Sequence, residues 1–379
     1  MDRVDATSIE RGLMESPEFV AGCDLGIVDL TATKQFDVVA LLYLLSLLSG
    51  RRGTDRRIRF KLPADARARH LLRRSCFAAA AELAAQTPFP VLVDSADLAY
   101  FGEHPPLDLL RSETGQTPRG SVLSYLIEQH HFGLSAHRID GPQSLLRMLD
   151  EEVRHWGGYA MVNLLDGILF GQAIDVSRVV VQELVANVVE HPKPSTAVVA
   201  SQLELRAAGS QGPHAALTIA AWDDGLSIVE TLRTCLRQGD SVRAWSPDVP
   251  DTFAVRAPHV SGGTATYASS WTPGTSATDE EILLASLFPG ITRKAAHERP
   301  ASDRTPAAKR MDYGYGLFAL YKAAVDHFRG SVELRCGATV LSLTRPDRTE
   351  PYQVTLSTQH GLEPLTGTIV TVRLPVRDD

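Results

Sequence analysis

Residues 179–192 read VVVQELVANVVEHP, and the fold turns on how this stretch is taken. On an α-helix Glu183, Asn187 and His191 recur every four residues, so one face carries a carboxylate, an amide and an imidazole. Val180, Leu184 and Val188 form an apolar stripe on a neighbouring face, suited to lying on a sheet. Pro192 disfavours helical geometry at His191 and closes the helix there. By itself the pattern describes an amphipathic helix with a wet polar face. The chain on either side decides what that face is for.

A chain of 379 residues is long for one core and predicts two domains. Hydrophobic residues at 44% and charged residues at 22% are ordinary for a soluble globular protein. The formal charge of -7 leaves no footprint for nucleic acid or an anionic membrane. The longest apolar run, residues 38–48, is too short to cross a bilayer, and the polar start of the chain does not read as a signal peptide. Cys23, Cys76, Cys235 and Cys336 are scattered and never in CxxC spacing, which predicts reduced thiols in a cytoplasmic protein.

Upstream of the helix, strands are expected at 25–30 (LGIVDL), 58–62 (IRFKL) and 90–94 (PVLVD). They alternate with helices at 36–49 and 66–85, the layout of an α/β unit. Residues 102–120 hold three prolines and three glycines and read as a linker. Helical spacing returns at 121–131, 142–156 and 159–172.

Downstream, strands are expected at 197–205 and 215–222, the second closing on Asp223-Asp224-Gly225, which alone is an ordinary turn signal. The middle of residues 226–313, at 246–278, is dense in Ser, Thr, Pro and Gly. The end, at 291–310, carries Arg293, Lys294, Arg299, Arg304, Lys309 and Arg310 against Glu298 and Asp303. Such a composition predicts a mobile basic loop or a plain solvated surface. Gly314-Tyr315-Gly316-Leu317 then opens a helix reaching Phe328, where two glycines would let backbone amides approach an anion. Gly330 stops it, and strands at 331–335, 339–344, 352–356 and 367–375 follow.

Taken in order, ELVANVVEH, WDDG, GYGLFALYKAAVDHFRGSVEL and GTIVTVRLP resemble the Bergerat-fold, or GHKL, ATPases. That superfamily takes in DNA gyrase, mismatch-repair ATPases, histidine kinases and anti-sigma-factor serine kinases. The chain has no GxxxxGK[ST] phosphate loop and no HRD or DFG kinase motif to compete. The resemblance covers about residues 140–379 and implies an α/β sandwich, a mixed sheet covered by helices on one face, that binds ATP with Mg2+. It makes Asn187 the ligand of Mg2+, through a hard amide oxygen, and Glu183 the base that takes a proton from the nucleophile. It makes Asp223 the acceptor for the adenine amino group, with Gly225 letting the backbone pass the base and Thr368 placing a hydroxyl near it. Gly314 and Gly316 would bound a phosphate-covering lid at 226–313, and Leu317 joins the cofactor-binding set.

Departures accompany the match. Ser227 replaces the second glycine of the usual DxGxG and would stiffen the start of the lid, which is itself longer than usual. No histidine-bearing helix pair of the sensor-kinase kind precedes Glu183, and a cation from 291–310 would stand in for the lysine that gyrase draws from a later domain.

Residues 20–100 resemble in layout the STAS fold of anti-sigma-factor antagonists, on LGIVDLTATKQFDVVALLYLLSLLSG, RIRFKLP and HLLRRSCFAAAAEL. Where that family carries its phosphorylated Ser or Thr, this chain reads Phe36-Asp37-Val38-Val39-Ala40. The resemblance implies a docking or dimerising module without its phosphoacceptor; an unrelated small α/β domain stays open.

The expected organisation is a STAS-like α/β domain at 1–101, a linker at 102–120 and a histidine-kinase-like ATPase domain at 121–379. The expected function is an ATP-binding regulatory protein of the anti-sigma-kinase-like branch, hydrolysing ATP or phosphorylating a protein partner. The alternatives are a nucleotide-gated interaction switch with little turnover, or a histidine-kinase-like signalling protein. ATP and a protein are the expected partners, with a homodimer left open and no nucleic acid or membrane.

Overall fold

The computed structural model describes residues 3–4, 8–9, 25–53, 57–66, 68–69, 72, 75, 77–93, 132–140, 142–157, 180–190, 194–205, 215–257, 264–292, 316–358 and 365–376. The expected linker at 102–120, the helices expected at 121–131 and 159–172, His191, Gly314 and nearly all of the basic stretch 291–310 lie outside these residues.

In the N-terminal part, β1 (Arg3–Val4) pairs in parallel with β3 (Gln35–Phe36), and β2 (Leu25–Asp29) in parallel with β4 (Arg57–Lys61). Between β3 and β4 runs helix α1 (Val38–Gly50), started by Asp37, whose carboxylate accepts the Val39 amide at 2.8 Å. Helix α2 (Phe77–Ala85) follows. The strand expected at 90–94 is instead the short helix α3 (Phe89–Leu92), with a single bridge from Val93 to Phe60. The reason is local: Pro90 sits in the first turn, where its fixed φ suits a helix, and Glu82 accepts the Phe89 amide at 2.7 Å.

The rest of the chain builds a nine-stranded mixed sheet. In chain order its strands are β5 (Phe132–Arg138), β6 (Thr196–Leu205), β7 (Ala215–Asp223), β8 (Thr252–Arg256), β9 (Ala265–Ala268), β10 (Ser331–Gly337), β11 (Thr339–Thr344), β12 (Tyr352–Thr358) and β13 (Leu365–Val376). Their order across the sheet is β5-β6-β7-β13-β10-β11-β12-β8-β9, antiparallel throughout except for β12 with β8. The sequence reading assigned nothing to β5. This edge strand is joined to helix α4 (Pro142–Gly157) by a buried pair, His137 Nε2 to Glu152 Oε1 at 2.7 Å.

Both faces of the sheet are covered: the described helices from residue 142 onward contribute to the core on one face, and α1 and α2 of the N-terminal part cover the other. Strand alternation sends Leu217, Ile219 and Ala221 of β7, with Val370, Val372 and Leu374 of β13, into one core. That core holds helix α5 (Gln182–Glu190) through Leu184 and Val188 of the expected apolar stripe, with Val180 just ahead of the helix and Val185 beside them. The opposite residues, Ala220, Trp222 and Ile369, enter a second core with α1 and α2. Residues 38–49 are buried without exception, so α1 is apolar on every side and needs cover on every side. Each buried leucine is worth about 1.5–3 kcal/mol removed from water, so the sheet face is a large part of what holds this helix. Polar groups fix the docking: Gln202 accepts from the Val38 amide and donates to the Phe36 carbonyl, both at 3.0 Å. Ser46 and Trp222 both donate to the Thr366 carbonyl, at 2.8 and 3.0 Å.

The described part of residues 226–292 is folded, against the expectation of a weakly ordered lid. It contains α6 (Ile228–Arg237), β8, β9 and α7 (Asp279–Ala285), and β8 extends the main sheet beside β12. Each helix begins with a reciprocal capping box, Ser227 with Glu230 and Thr278 with Glu281. Phe253 lies between Tyr352, Phe288 and Tyr321, with ring centroids 4.9, 5.0 and 5.9 Å away. Composition averaged over the segment hid the apolar residues 282–288, which supply this core. After residue 315 the chain enters α8 (Gly316–Tyr321), which continues as a π-helix over Lys322–His327, where a plain α-helix was expected. The helix ends before Gly330, with Arg329 in the left-handed conformation at φ 59°; the Gly330 amide bonds the Ala324 carbonyl at 2.8 Å, and a Cβ there would collide with the Arg373 carbonyl.

Candidate active site

The polar face of α5 meets the start of α8. A Cβ placed on Gly316 would lie 3.1 Å from Glu183 Oε2 and 3.5 Å from Asn187 Oδ1, so three of the expected site residues converge at one point. Asn187 Nδ2 donates to the Glu183 carbonyl one turn back at 2.7 Å, which turns Oδ1 outward, towards Gly316. Two oxygens of hard character therefore face the same small space. That donor set suits Mg2+, which takes one or two protein oxygens and fills its octahedron with water and phosphate oxygens. Among the described residues no group of three or more His, Cys, Asp or Glu could hold a metal alone. Leu317 is a buried core residue, so its place here is packing under the helix start.

Asp223, Thr368 and Cys336 form a second cluster. Thr368 pairs with Asp223 across β7 and β13, and with Cys336 across β13 and β10. By strand alternation all three share the face that carries α5 and α8. Asp223 and Thr368 are each 1% exposed. Asp223 Oδ1 accepts the Gly225 amide at 2.9 Å, which draws the turn over the carboxylate. Thr368 Oγ1 accepts the Ile228 amide at 3.2 Å and lies 3.6 Å from the Cys336 sulfur. Burial pushes the Cys336 thiol up to about 12, and the charge of Asp223 adds to the rise. The thiol is a neutral, small filler beside the carboxylate. Ser227 opens the next segment as the N-cap of α6, its hydroxyl accepting the Glu230 amide.

Asp224 was outside the sequence reading of the site and has a different task. Its side chain is 1% exposed and accepts from the Ser195 amide, the Thr196 amide, the Ser195 hydroxyl and Arg52. The signal for this was present: consecutive residues leaving a strand point to opposite faces, so two aspartates cannot both serve one pocket.

Comparison with protein families, with curated proteins and with solved structures gives no match to this chain.

Proposed function

We propose that the chain binds ATP with Mg2+ on the face shared by α5, α8, β7 and β13, and hydrolyses it or passes its terminal phosphoryl group to a protein. The observation that carries this is the convergence of Glu183 Oε2 and Asn187 Oδ1 on Gly316, on the same sheet face from which the buried Asp223 carboxylate and Thr368 hydroxyl rise side by side. Asp223 would accept from the adenine amino group; guanine offers a carbonyl there and would leave the carboxylate opposed by an acceptor. Asn187 would hold the metal, which neutralises phosphate charge when bound. Glu183 would take the proton of the attacking water or hydroxyl.

In fold terms, a mixed sheet with α5 and α8 on the site face supports the GHKL reading, and the parallel β2–β4 pair around α1 supports a STAS-like N-terminal module. A nucleotide-gated switch is the second reading. It is favoured by Lys322, just past α8, whose Nζ lies 2.9 Å from Asp251 at the start of β8 and so ties the site helix to the 226–292 insert. No helix among the described residues is long and apolar enough to cross a membrane. Incubation with γ-labelled ATP, alone and with lysate protein, separates the readings: released phosphate means hydrolysis, a labelled protein means transfer, and retained nucleotide alone means a switch. No bound or turned-over nucleotide would sink all of them.

A further inference from the structure

The end of β7 works in two directions. Asp223 faces the proposed nucleotide, whereas Asp224 faces the N-terminal part, where Arg52 meets it. Arg52 stands just past α1 and its guanidinium joins separate pieces of chain. Nε donates to the Ala84 carbonyl of α2 at 2.6 Å and Nη1 to the Ser195 hydroxyl at 2.6 Å. Nη2 donates to Asp224 Oδ2 at 2.5 Å and to the Thr196 hydroxyl at 3.3 Å.

We propose that Arg52 is a positioning residue of the adenine pocket: through Asp224 it fixes the strand end from which Asp223 is aimed, and so makes nucleotide affinity depend on the α1–α2 unit. The inference rests on the adenine reading of Asp223 above. A strand end frays unless its first residue beyond the ladder is held, and here Asp224 is held by its own amide to the Thr196 carbonyl and by its carboxylate bonds. A carboxylate so buried needs its countercharge, and among the described residues Arg52 is the cation paired with it. On the other side of Asp223, β13 comes so close at Gly367, with φ +78°, that a Cβ there would sit on the Asp223 carbonyl. Asp223 is thus set between a close backbone approach and an ion pair. Reading a base edge needs placement within about 0.5 Å, so releasing one of these supports is felt at the base.

The test is titration of the full-length chain with ATP and with GTP in the presence of Mg2+, using Arg52→Ala, Arg52→Lys and Asp224→Asn. Gln202→Leu is the control, because it also breaks contacts between α1 and the sheet but lies six residues along β6 from Thr196, about 20 Å at the strand rise. Arg52→Ala and Asp224→Asn should weaken ATP about tenfold and narrow the preference for ATP over GTP. Arg52→Lys, which keeps the charge and loses the fork, should fall between them and the native chain. Gln202→Leu should lower the melting temperature with affinity and preference unchanged. A purely structural Arg52 would move the melting temperature alone, and that result overturns the inference, as does an equal affinity loss in Gln202→Leu. If Arg52→Ala does not fold, titration of Arg52→Lys decides between the same two outcomes. A native chain that binds no ATP removes the adenine reading and this inference together, whereas native affinity retained in the Arg52 variants removes the inference alone.

Discussion

Thr368 stands directly opposite Asp223 on the β7–β13 ladder, and both side chains rise from the face covered by α5 and α8. A carboxylate accepts only, and a hydroxyl can donate or accept. Side by side they offer a fixed acceptor and a hydroxyl donor, the pair that the proposed adenine site would use.

Asp223→Asn replaces an acceptor with a group that can turn a donor towards the base amino group. ATP affinity should fall by about 1–3 kcal/mol, the cost of an unmatched buried polar contact. Calorimetric titration reads it, and native affinity in the variant would remove Asp223 from the pocket.

Glu183 and Asn187 should part by function. Glu183→Ala should still bind Mg-ATP and lose turnover by about 10²–10⁴-fold, the usual contribution of a general base. Asn187→Ala should flatten the dependence of ATP binding on Mg2+ concentration. Single-turnover kinetics beside Mg2+ titrations distinguish the two, and wild-type behaviour in both would end the assignment.

Gly316→Ala separates site from scaffold. The new Cβ would press on Glu183 Oε2 at 3.1 Å and fill the space beside Asn187 Oδ1. Gly316 is the first helical residue, where alanine's interior advantage applies only in part, so stability should change little while Mg-ATP binding weakens. A melt and a titration on the same sample check this; loss of stability without loss of binding is the contrary outcome.

Phe253→Ala tests whether the 226–292 insert belongs to the core. Removing a buried phenylalanine from among Tyr321, Phe288 and Tyr352 should cost about 3–5 kcal/mol in urea unfolding. A loosely attached lid would lose almost nothing.

Cys336 gives a pH signature. Its folded pKa of about 12 lies above the ordinary thiol value of about 8.5, so the unfolded chain releases this proton first as pH rises. Its contribution is fully present below about pH 8.5 and declines as pH climbs towards the folded value. Cys336→Ala should flatten that alkaline slope in unfolding measurements, and native Cys336 should resist alkylation at pH 8. Rapid labelling would show that the thiol is accessible after all.

Local periodicity carried the sequence reading where an element answers mainly to its own residues. The α5 stripe, the β6–β7 pair and the β10–β12 meander are legible because a helix or strand face repeats at a fixed spacing. The order of the insert is not legible from composition, because one short apolar run at 282–288 is diluted by the Ser-, Thr-, Pro- and Gly-rich residues before it and finds its partner, Phe253, only in the tertiary structure. The edge strand β5, FGLSAHR, alternates Phe132, Leu134 and Ala136 with Gly133, Ser135 and His137, but it is short, and its pairing with β6 more than fifty residues on is set by the tertiary structure.

The sequence by itself determined which residues could do chemistry: an acid and an amide one helical turn apart, two aspartates closing a strand, glycines ahead of a helix. Only the tertiary structure decided which aspartate serves which face, because alternation states that neighbours point apart without saying what lies on either side. Arg52 answers that for Asp224 and Thr368 for Asp223, from positions 172 residues upstream and 145 residues downstream respectively. Contacts across such separations leave no periodic trace in the chain, since the partners are brought together by the burial of both sheet faces.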